Sequence, residues 1–178
     1  PEIFSTGARI QYFDQDSAAL IIKQHLQLYS YDTTTSKITP LTALNEQLPM
    51  MHFGNILGQL SDKSWIISTA DQLWRYQSAS AQLSLLYQHP DYHPQLNRYA
   101  TTMQQDLNGT LWVGMQGIGL LGFDVTTLEL TQFFSVDNKL RSNEVFSLLL
   151  DDAGDIWFSS RQGLARLEPD NLQIEYFT

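Results

Sequence analysis

The sequence predicts an all-β fold, and three observations support that prediction. Aromatic residues make up 12% of the 178 residues, and Trp, Tyr and Phe favour the half-buried surface of a sheet. Short runs of alternating apolar and polar residues recur roughly every ten residues, separated by turn-forming residues. No window shows the 3.6-residue period of a long amphipathic helix.

A block of residues centred on tryptophan returns along the chain. Trp65, Trp112 and Trp157 are separated by 47 and 45 residues, and Leu20 occupies the corresponding place in the first unit. A period of roughly 40–50 residues with several short strands per unit is typical of β-propeller blades. The sequence therefore predicts four four-stranded antiparallel repeats of about 45 residues that form part of a larger propeller. We expect one domain over residues 1–178, with blades at residues 1–46, 47–92, 93–138 and 139–178.

The individual elements follow from this pattern. In the fourth unit, strands are expected at residues 143–150, 155–160, 163–168 and 172–177. The turn after the first strand is Asn108-Gly109 in unit three and Ala153-Gly154 in unit four, and Asn-Gly is a strong two-residue hairpin signal. Polar turns at residues 33–37, 77–82 and 169–171 join third and fourth strands. Residues 42–51 lack a helical period and are expected to connect two blades.

The recurring tryptophans and turn glycines are expected to be structural. Each indole would pack between one blade and the next, burying on the order of 150–250 Å². The residues assigned this role are Trp65, Trp112, Trp157, Gly109 and Gly154.

Composition excludes several classes of function. The formal net charge of −9 disfavours binding to nucleic acid or to a bare anionic membrane. The absence of cysteine excludes disulfides, thiol nucleophiles and thiolate metal sites. Within these 178 residues, no apolar run is long enough to span a bilayer and no signal peptide is recognisable, and such segments are expected outside this piece. Because the sequence starts at Pro1, we expect a domain taken from a longer protein.

The aligned units carry a further pattern: an Asp, a Gly-containing turn, Trp between aliphatic residues, and then Gly-Leu. In unit three these positions are Asp106, Gly109, Leu111, Trp112, Val113, Gly114, Gly119, Leu120, Phe123 and Asp124. In unit four they are Asp151, Gly154, Ile156, Trp157, Phe158, Ser159, Gly163 and Leu164. Over residues 99–178 this pattern resembles the two-component regulator propeller repeat, and the match is weaker before residue 99.

The resemblance implies a function. Proteins with such repeats are sensor regions of bacterial membrane receptors, which lie in the periplasm ahead of a transmembrane helix and a histidine kinase or diguanylate cyclase. It implies a ligand-binding, non-catalytic segment, and carbohydrate fragments are ligands in several such receptors.

A ligand would meet the propeller where the second-to-third strand turns approach the connections between blades. Arginine and aromatic residues around such a mouth suit a polar or anionic small molecule or a sugar. The candidate ligand-binding residues are Arg98, Arg141, Arg161, Tyr92, His93, Asn97 and Gln116. The alternative is that they are solvated loop residues. His89 and His93 flank Pro90, which disfavours a helical pair of metal ligands, so no metal or cofactor is expected.

Two other functional classes remain open from the sequence. No nucleophile elbow or phosphate-binding loop is present, but paired carboxylates of a propeller-type carbohydrate lyase or glycosidase can be recognised only in three dimensions. A dimerisation scaffold without ligand is the third possibility. An open set of four blades would leave two uncovered faces, so we expect a homodimer or pairing with further blades.

Overall fold

The computed structural model describes residues 8–14, 19–25, 27–48, 53–93 and 98–177. Within these residues, sixteen strands form four antiparallel sheets, each with four strands in chain order. The all-β fold of four-stranded antiparallel repeats is therefore confirmed. The assignment of residues 1–178 to one domain stays a prediction.

We call the four sheets blades one to four. Blade one contains β1 (Arg9–Asp14), β2 (Ala19–Gln24), β3 (Gln27–Asp32) and β4 (Ile38–Pro40). Blade two contains β5 (Phe53–Gln59), β6 (Trp65–Thr69), β7 (Gln72–Gln77) and β8 (Gln82–Gln88). Blade three contains β9 (Ala100–Gln105), β10 (Thr110–Met115), β11 (Gly119–Asp124) and β12 (Leu130–Phe134). Blade four contains β13 (Val145–Leu150), β14 (Ile156–Ser160), β15 (Gly163–Glu168) and β16 (Gln173–Phe177).

The first strands of successive blades lie side by side. β5 contacts both β1 and β9, and β9 contacts β13. Side chains join these strands across the gaps: Asn55 Nδ2 donates to the Ala100 carbonyl oxygen at 3.0 Å. The Leu148 backbone N–H donates to Thr102 Oγ1 at 3.2 Å. The first strand of each blade is therefore the inner one, as in a propeller.

Apolar side chains fill the space between each pair of neighbouring blades. Sheets must bury their apolar faces against each other, and each core here is formed by two facing sheets. Between blades one and two it contains Ile21, Leu28, Ile56, Trp65, Ile67 and Tyr76. Between blades two and three it contains Leu60, Ile66, Leu73, Leu111, Val113 and Phe123. Between blades three and four it contains Trp112, Leu120, Phe134, Leu148, Ile156, Phe158 and Leu167.

The connection between blades one and two includes one short helix, α1 (Thr42–Gln47), which the sequence did not indicate. Six residues are too few to be stable as an isolated helix, so tertiary contacts must hold it. Leu44 is fully buried in the core between blades one and two. The Asn45 amide accepts from the Leu28 N–H at 2.8 Å and donates to the Leu28 carbonyl oxygen at 3.0 Å.

The prediction of a two-residue Asn-Gly hairpin is wrong for blade three. The loop has four residues, 106–109, and is closed by a hydrogen bond of 2.9 Å from the Asp106 N–H to the Thr110 carbonyl oxygen. Asp106 organises the loop, because Oδ1 accepts the N–H groups of Asn108 at 2.9 Å and Thr110 at 2.8 Å. Gly109 has a φ of +84°, which explains the glycine at this position.

The same aspartate fixes the recurring tryptophan. Asp106 Oδ2 accepts from Trp112 Nε1 at 2.8 Å, and Asp151 Oδ2 accepts from Trp157 Nε1 at 2.6 Å. Each aspartate therefore holds both a hairpin loop and an indole: Trp112 packs against blade four, and Trp157 stacks on Phe177 of its own blade. This pairing explains why Asp precedes Trp by six residues in both units.

Trp65 does not occupy the equivalent position. Strand pairing places Ile66, not Trp65, at the position of Trp112 and Trp157, because Ile66 pairs with Arg75 as Trp157 pairs with Arg166. A one-residue shift along a strand moves a side chain to the other face of the sheet. Trp65 accordingly packs toward blade one, and the common register of the three tryptophans expected from the sequence is wrong for blade two.

Candidate ligand-binding mouth

One end of the blades brings together the segments predicted to meet a ligand. Strands alternate in direction, so the turns after each second strand lie at the same end as the connections between blades. We use the word mouth for the turns at residues 70–71, 116–118 and 161–162 and the described connecting residues 89–93, 98–99 and 135–144.

The centre of the mouth between blades two and three is an ion pair of Asp71 and Arg98. Asp71 lies in the turn between β6 and β7 and is fully buried. Its Oδ1 accepts from Arg98 Nε at 2.6 Å and its Oδ2 from Arg98 Nη2 at 2.5 Å. This bidentate geometry is the strongest common form of a carboxylate–guanidinium contact.

Backbone groups of the same connection complete the arrangement around Asp71. The His93 N–H donates to Asp71 Oδ2 at 2.9 Å, and Arg98 Nη2 also donates to the Asp91 carbonyl oxygen at 2.9 Å. The Asp71 N–H donates to the Arg98 carbonyl oxygen at 2.8 Å, and the His89 N–H donates to the Asp71 carbonyl oxygen at 2.9 Å. Hydrogen bonds of Asp71 therefore hold both ends of the connection from blade two to blade three.

The protonation equilibria of this cluster follow from its geometry. Burial alone would raise the pKa of Asp71, but the hydrogen bonds from Arg98 and the His93 N–H outweigh burial and hold that pKa below its usual value. The bond to Asp71 raises the pKa of Arg98 above its usual value against the effect of burial. Burial raises the pKa of nearby Tyr87 to about 12. The pair is therefore ionised throughout the physiological range.

Several predicted site residues gather near this ion pair. The stem of Arg98 crosses Gly117, where an added Cβ would lie 3.1 Å from Arg98 Cδ. The neighbouring Gln116 is half-buried, and its N–H donates to the Tyr99 carbonyl oxygen at 3.0 Å. Tyr92 is half-buried and His93 is exposed in the connection that Asp71 holds. The structure thus brings Arg98, Tyr92, His93 and Gln116 to one part of the mouth.

The other predicted site residues are placed differently. Arg141 is exposed and stacks on Tyr176 of β16, with its Cζ atom 4.3 Å from the ring centroid. Arg161 is exposed in the turn between β14 and β15. Asn97 lies outside the described residues. Arg141 therefore belongs to the outer rim of blade four.

Asp71 is the residue of the mouth that sequence reasoning missed. It lies 27 residues before Arg98, in a turn, where a carboxylate usually faces water. A φ of +54° at a non-glycine residue is the structural sign of its special position, and Asp tolerates that conformation better than most residues. No local spacing could have indicated the pairing.

Three concavities formed by described residues lie away from the mouth. One of about 440 Å³ lies on the face of blade one that is turned away from blade two. Another, of about 270 Å³, lies on the face of blade four that is turned away from blade three. A third, of about 220 Å³, lies at the opposite end from the mouth, between the loop at Leu107 and the turn at Asp170. The predicted site residues line none of these three.

Comparison with known proteins supports the resemblance drawn from the sequence. Residues 139–162 match the family described as two component regulator propeller. No curated protein matches the chain. The resemblance to two-component regulator propeller repeats is therefore confirmed, and the residues that match the family include part of the fourth blade.

Solved structures of low identity share the fold. The extracellular domain of the hybrid two component system BT4673 from B. thetaiotaomicron is 22% identical, with a TM-score of 0.68 over 89% of this chain and 20% of that chain. Virginiamycin B lyase from Staphylococcus aureus is 17% identical, with a TM-score of 0.65 over 92% of this chain and 53% of that chain. The WD40 propeller domain of Doa1 is 10% identical, with a TM-score of 0.61 over 90% of this chain and 49% of that chain. This chain thus spans about a fifth of the BT4673 domain.

Proposed function

We propose that this chain is a segment of the extracytoplasmic, ligand-sensing propeller of a bacterial membrane-bound signalling receptor. The match of residues 139–162 to the two component regulator propeller carries this proposal. The fold shared with the BT4673 extracellular domain agrees with it. The segment would lie in the periplasm and would not be catalytic. Among the described residues, no helix is long and apolar enough to cross a membrane.

The mouth is the proposed ligand site, and Arg98 has a distinct role there. Because both carboxylate oxygens of Asp71 engage Arg98, this guanidinium positions the connecting segment and contributes little to a ligand. Contacts to a polar or anionic small molecule, including a sugar, would come from Tyr92, His93, Gln116 and Arg161, with Arg141 at the rim. Asn97 belongs to the same proposed site by its position in the sequence.

A thermal-shift screen of sugars and small organic anions tests the proposal. A ligand at 100 times its Kd stabilises the folded state by about 2.7 kcal/mol, which raises Tm by roughly 5–10 °C in a domain of this size. Arg161→Ala and Gln116→Ala should each reduce the shift while leaving the Tm of the free protein nearly unchanged. Lys37→Ala, in a turn at the opposite end of blade one, is the matched control and should leave the shift intact.

The screen also separates the proposal from its alternatives. If the protein cleaves an added glycan, and if substituting carboxylate residues abolishes that activity, the protein is an enzyme and the sensor proposal is overturned. The fold shared with virginiamycin B lyase is a reason to test for turnover, but it is evidence of the fold alone. A screen without any shift or turnover would leave the scaffold function and overturn the ligand-sensing proposal.

A further inference from the structure

At the end of the arc of blades opposite the mouth, the hairpin loop of blade three reaches over to blade four. Asn108 Nδ2 donates to Asp170 Oδ1, in the turn between β15 and β16, at 2.7 Å. The neighbouring Leu107 lies over Gly154, where an added Cβ would be 3.0 Å from Leu107 Cδ1. The same residues border the concavity of about 220 Å³. This loop therefore ties two blades together through one asparagine amide.

Asn108 has a reactive sequence context. Of the seven asparagines in the chain, Asn108 alone is followed by a glycine. The backbone nitrogen after an asparagine can attack the side-chain amide carbon, and a Cβ on the following residue hinders that attack. Gly109 has no Cβ, and the Asn108 side chain is exposed, so water has access to it. Asn108 is therefore the asparagine of this chain that is best placed to lose its amide.

The backbone nitrogen of Gly109 is also free of a competing bond. Asp106 Oδ1 accepts the N–H groups of Asn108 and Thr110, on either side of Gly109. Among the described residues, the Gly109 N–H itself has no acceptor. In blade four the equivalent Gly154 N–H donates to the Asp151 carbonyl oxygen at 3.1 Å, and the residue before it is alanine. Blade three thus has both the amide and the nucleophile, and blade four has neither.

We propose that Asn108 is a site of spontaneous deamidation and that Asp170 restrains the reaction. The Gly109 nitrogen loses its proton and forms a bond to Asn108 Cγ. The bond from Cγ to Nδ2 breaks, and Nδ2 takes up a proton and leaves as ammonia. Water then opens the cyclic succinimide at either carbonyl carbon, which gives aspartate or isoaspartate at position 108. Water is the sole co-reactant, so the change accumulates with the age of the protein.

The hydrogen bond to Asp170 opposes the first step. Ring closure brings Asn108 Cγ to bonding distance of the Gly109 nitrogen, which requires the side chain to rotate. A bond of 2.7 Å to a carboxylate is charge-assisted and stronger than a bond between neutral groups, so it restricts that rotation. Loss of such a bond should accelerate ring closure about tenfold. Asp170 therefore protects Asn108 while blades three and four are in contact at this end.

The reaction reverses the electrostatics of the contact between the loop and blade four. Either product places a carboxylate at position 108, opposite Asp170, where an amide donor stood. The concavity between them is also lined by Asp155 and Glu168, so the new charge meets only carboxylates among its ionisable neighbours there. Like charges at this distance repel each other, and salt screens the repulsion. Deamidation therefore loosens the contact that delayed it.

The isoaspartate product has a second effect. It routes the main chain through Cβ and lengthens it between residues 108 and 110, so both N–H groups can no longer reach Asp106 Oδ1 in the present geometry. Because Asp106 Oδ2 accepts from Trp112 Nε1, the change extends from the loop to the core between blades three and four.

The first experiment measures deamidation by mass spectrometry of the folded 178-residue chain, incubated at neutral and at mildly alkaline pH. Trypsin separates Asn108 from Asn171, which is the internal control. Asn171 is exposed and its amide donates to Glu168 Oε2 at 2.8 Å, but it precedes leucine. Asn108 should convert about tenfold faster or more, and faster at the higher pH. Equal rates at the two asparagines would overturn the proposal.

The second experiment isolates the role of Asp170. Asp170→Ala should accelerate conversion of Asn108 about tenfold and leave Asn171 unchanged. Asp152→Ala removes an exposed carboxylate from another loop of blade four and is the matched control. Circular dichroism and melting curves verify that both variants fold. An unchanged or lower rate in Asp170→Ala would overturn the restraining role of Asp170.

The third experiment tests the consequence for stability. Asn108→Asp reproduces one product and should lower Tm by about 2–4 °C at low salt. Asn108→Ser removes the bond without adding a charge and should lower Tm less. Asp170→Lys in the Asn108→Asp chain should restore Tm, because it replaces the repulsion with an attraction. Equal Tm values for Asn108→Asp and Asn108→Ser would contradict the proposed repulsion.

Discussion

At the scale of single residues, the ion pair of Asp71 and Arg98 decides the conformation of the connection between blades two and three. Asp71 is fully buried, and the Arg98 side chain is 20% exposed. Removing one partner of a buried ion pair leaves a charge without compensation. The pair is therefore a structural requirement in the middle of the proposed ligand site.

Arg98→Ala should destabilise the protein by about 3 kcal/mol, measured by urea unfolding at neutral pH. Arg161→Ala is the control at the same mouth and should change the free energy of unfolding by less than about 0.5 kcal/mol. Equal small effects of both substitutions would show that Asp71 finds other partners when Arg98 is removed.

The same pair predicts part of the acid sensitivity. The pKa of Asp71 is lowered in the folded protein, so the unfolded chain binds the proton first as the pH falls. The ionised Asp71 therefore contributes its full stabilisation above the usual pKa of a carboxyl group. This stabilisation is lost as the pH falls from that value toward the lower pKa that Asp71 has in the folded protein. Asp71→Asn and Arg98→Ala should each flatten the dependence of unfolding free energy on pH between roughly pH 5 and 3. An unchanged slope in Asp71→Asn would contradict the prediction.

The tryptophans provide a matched pair of substitutions. Trp112 Nε1 donates to Asp106, whereas Trp65 Nε1 is buried without a partner among the described residues. Both Trp→Phe changes remove similar volume, so the difference between them isolates the hydrogen bond to a charged group. Trp112→Phe should cost about 1–3 kcal/mol more than Trp65→Phe in chemical denaturation. Equal costs would mean that the bond to Asp106 adds no net stability.

At the scale of elements, the structure explains why blade two is stable without the aspartate–tryptophan hydrogen bond of blades three and four. Its hairpin loop is closed by a bond from the Leu60 N–H to the Ser64 carbonyl oxygen, as the loop of blade three is closed at Asp106 and Thr110. Leu60 and Ile66 therefore replace the Asp and the Trp, and both are buried in the core between blades two and three. Replacing both partners by apolar groups avoids an unsatisfied polar atom.

This double replacement shows what the sequence can and cannot predict. The alternation and turns of unit four predict its strands to within two residues, because strand periodicity and glycine turns are local signals. In blade two the visible Trp65 lies one residue from the equivalent position, and only the pairing of Ile66 with Arg75 reveals the shift. The Asp71–Arg98 pair is likewise non-local, so the sequence pointed to Arg98 at the mouth but not to the carboxylate that binds it.

The glycine that begins the third strand offers an element-scale prediction. Gly119 has a φ of +126°, and an added Cβ would lie 2.1 Å from the Phe134 carbonyl oxygen. The equivalent Gly163 has a φ of +101°, with 3.2 Å between an added Cβ and the Phe177 carbonyl oxygen. Backbone atoms cannot move aside easily, so Gly119→Ala should cost about 1–3 kcal/mol more than Gly163→Ala by urea unfolding. Similar costs would mean that β12 shifts freely.

At the scale of the whole molecule, stability is distributed unevenly along the arc. β10 is buried from Leu111 to Met115, and β11 from Gly119 to Phe123, because blades two and four cover both faces of blade three. β16 is the outermost strand of blade four and alternates between exposed and half-buried residues. Among the described residues, each apolar core lies between two neighbouring blades, so stability should follow the number of covered faces.

Amide hydrogen exchange measures this distribution directly. Protection should be highest in β10 and β11 and lowest in β4 and β16, because exchange in poorly covered strands requires only local opening. Uniform protection across the four blades would mean that the arc unfolds as one cooperative unit and that its uncovered faces cost it no local stability.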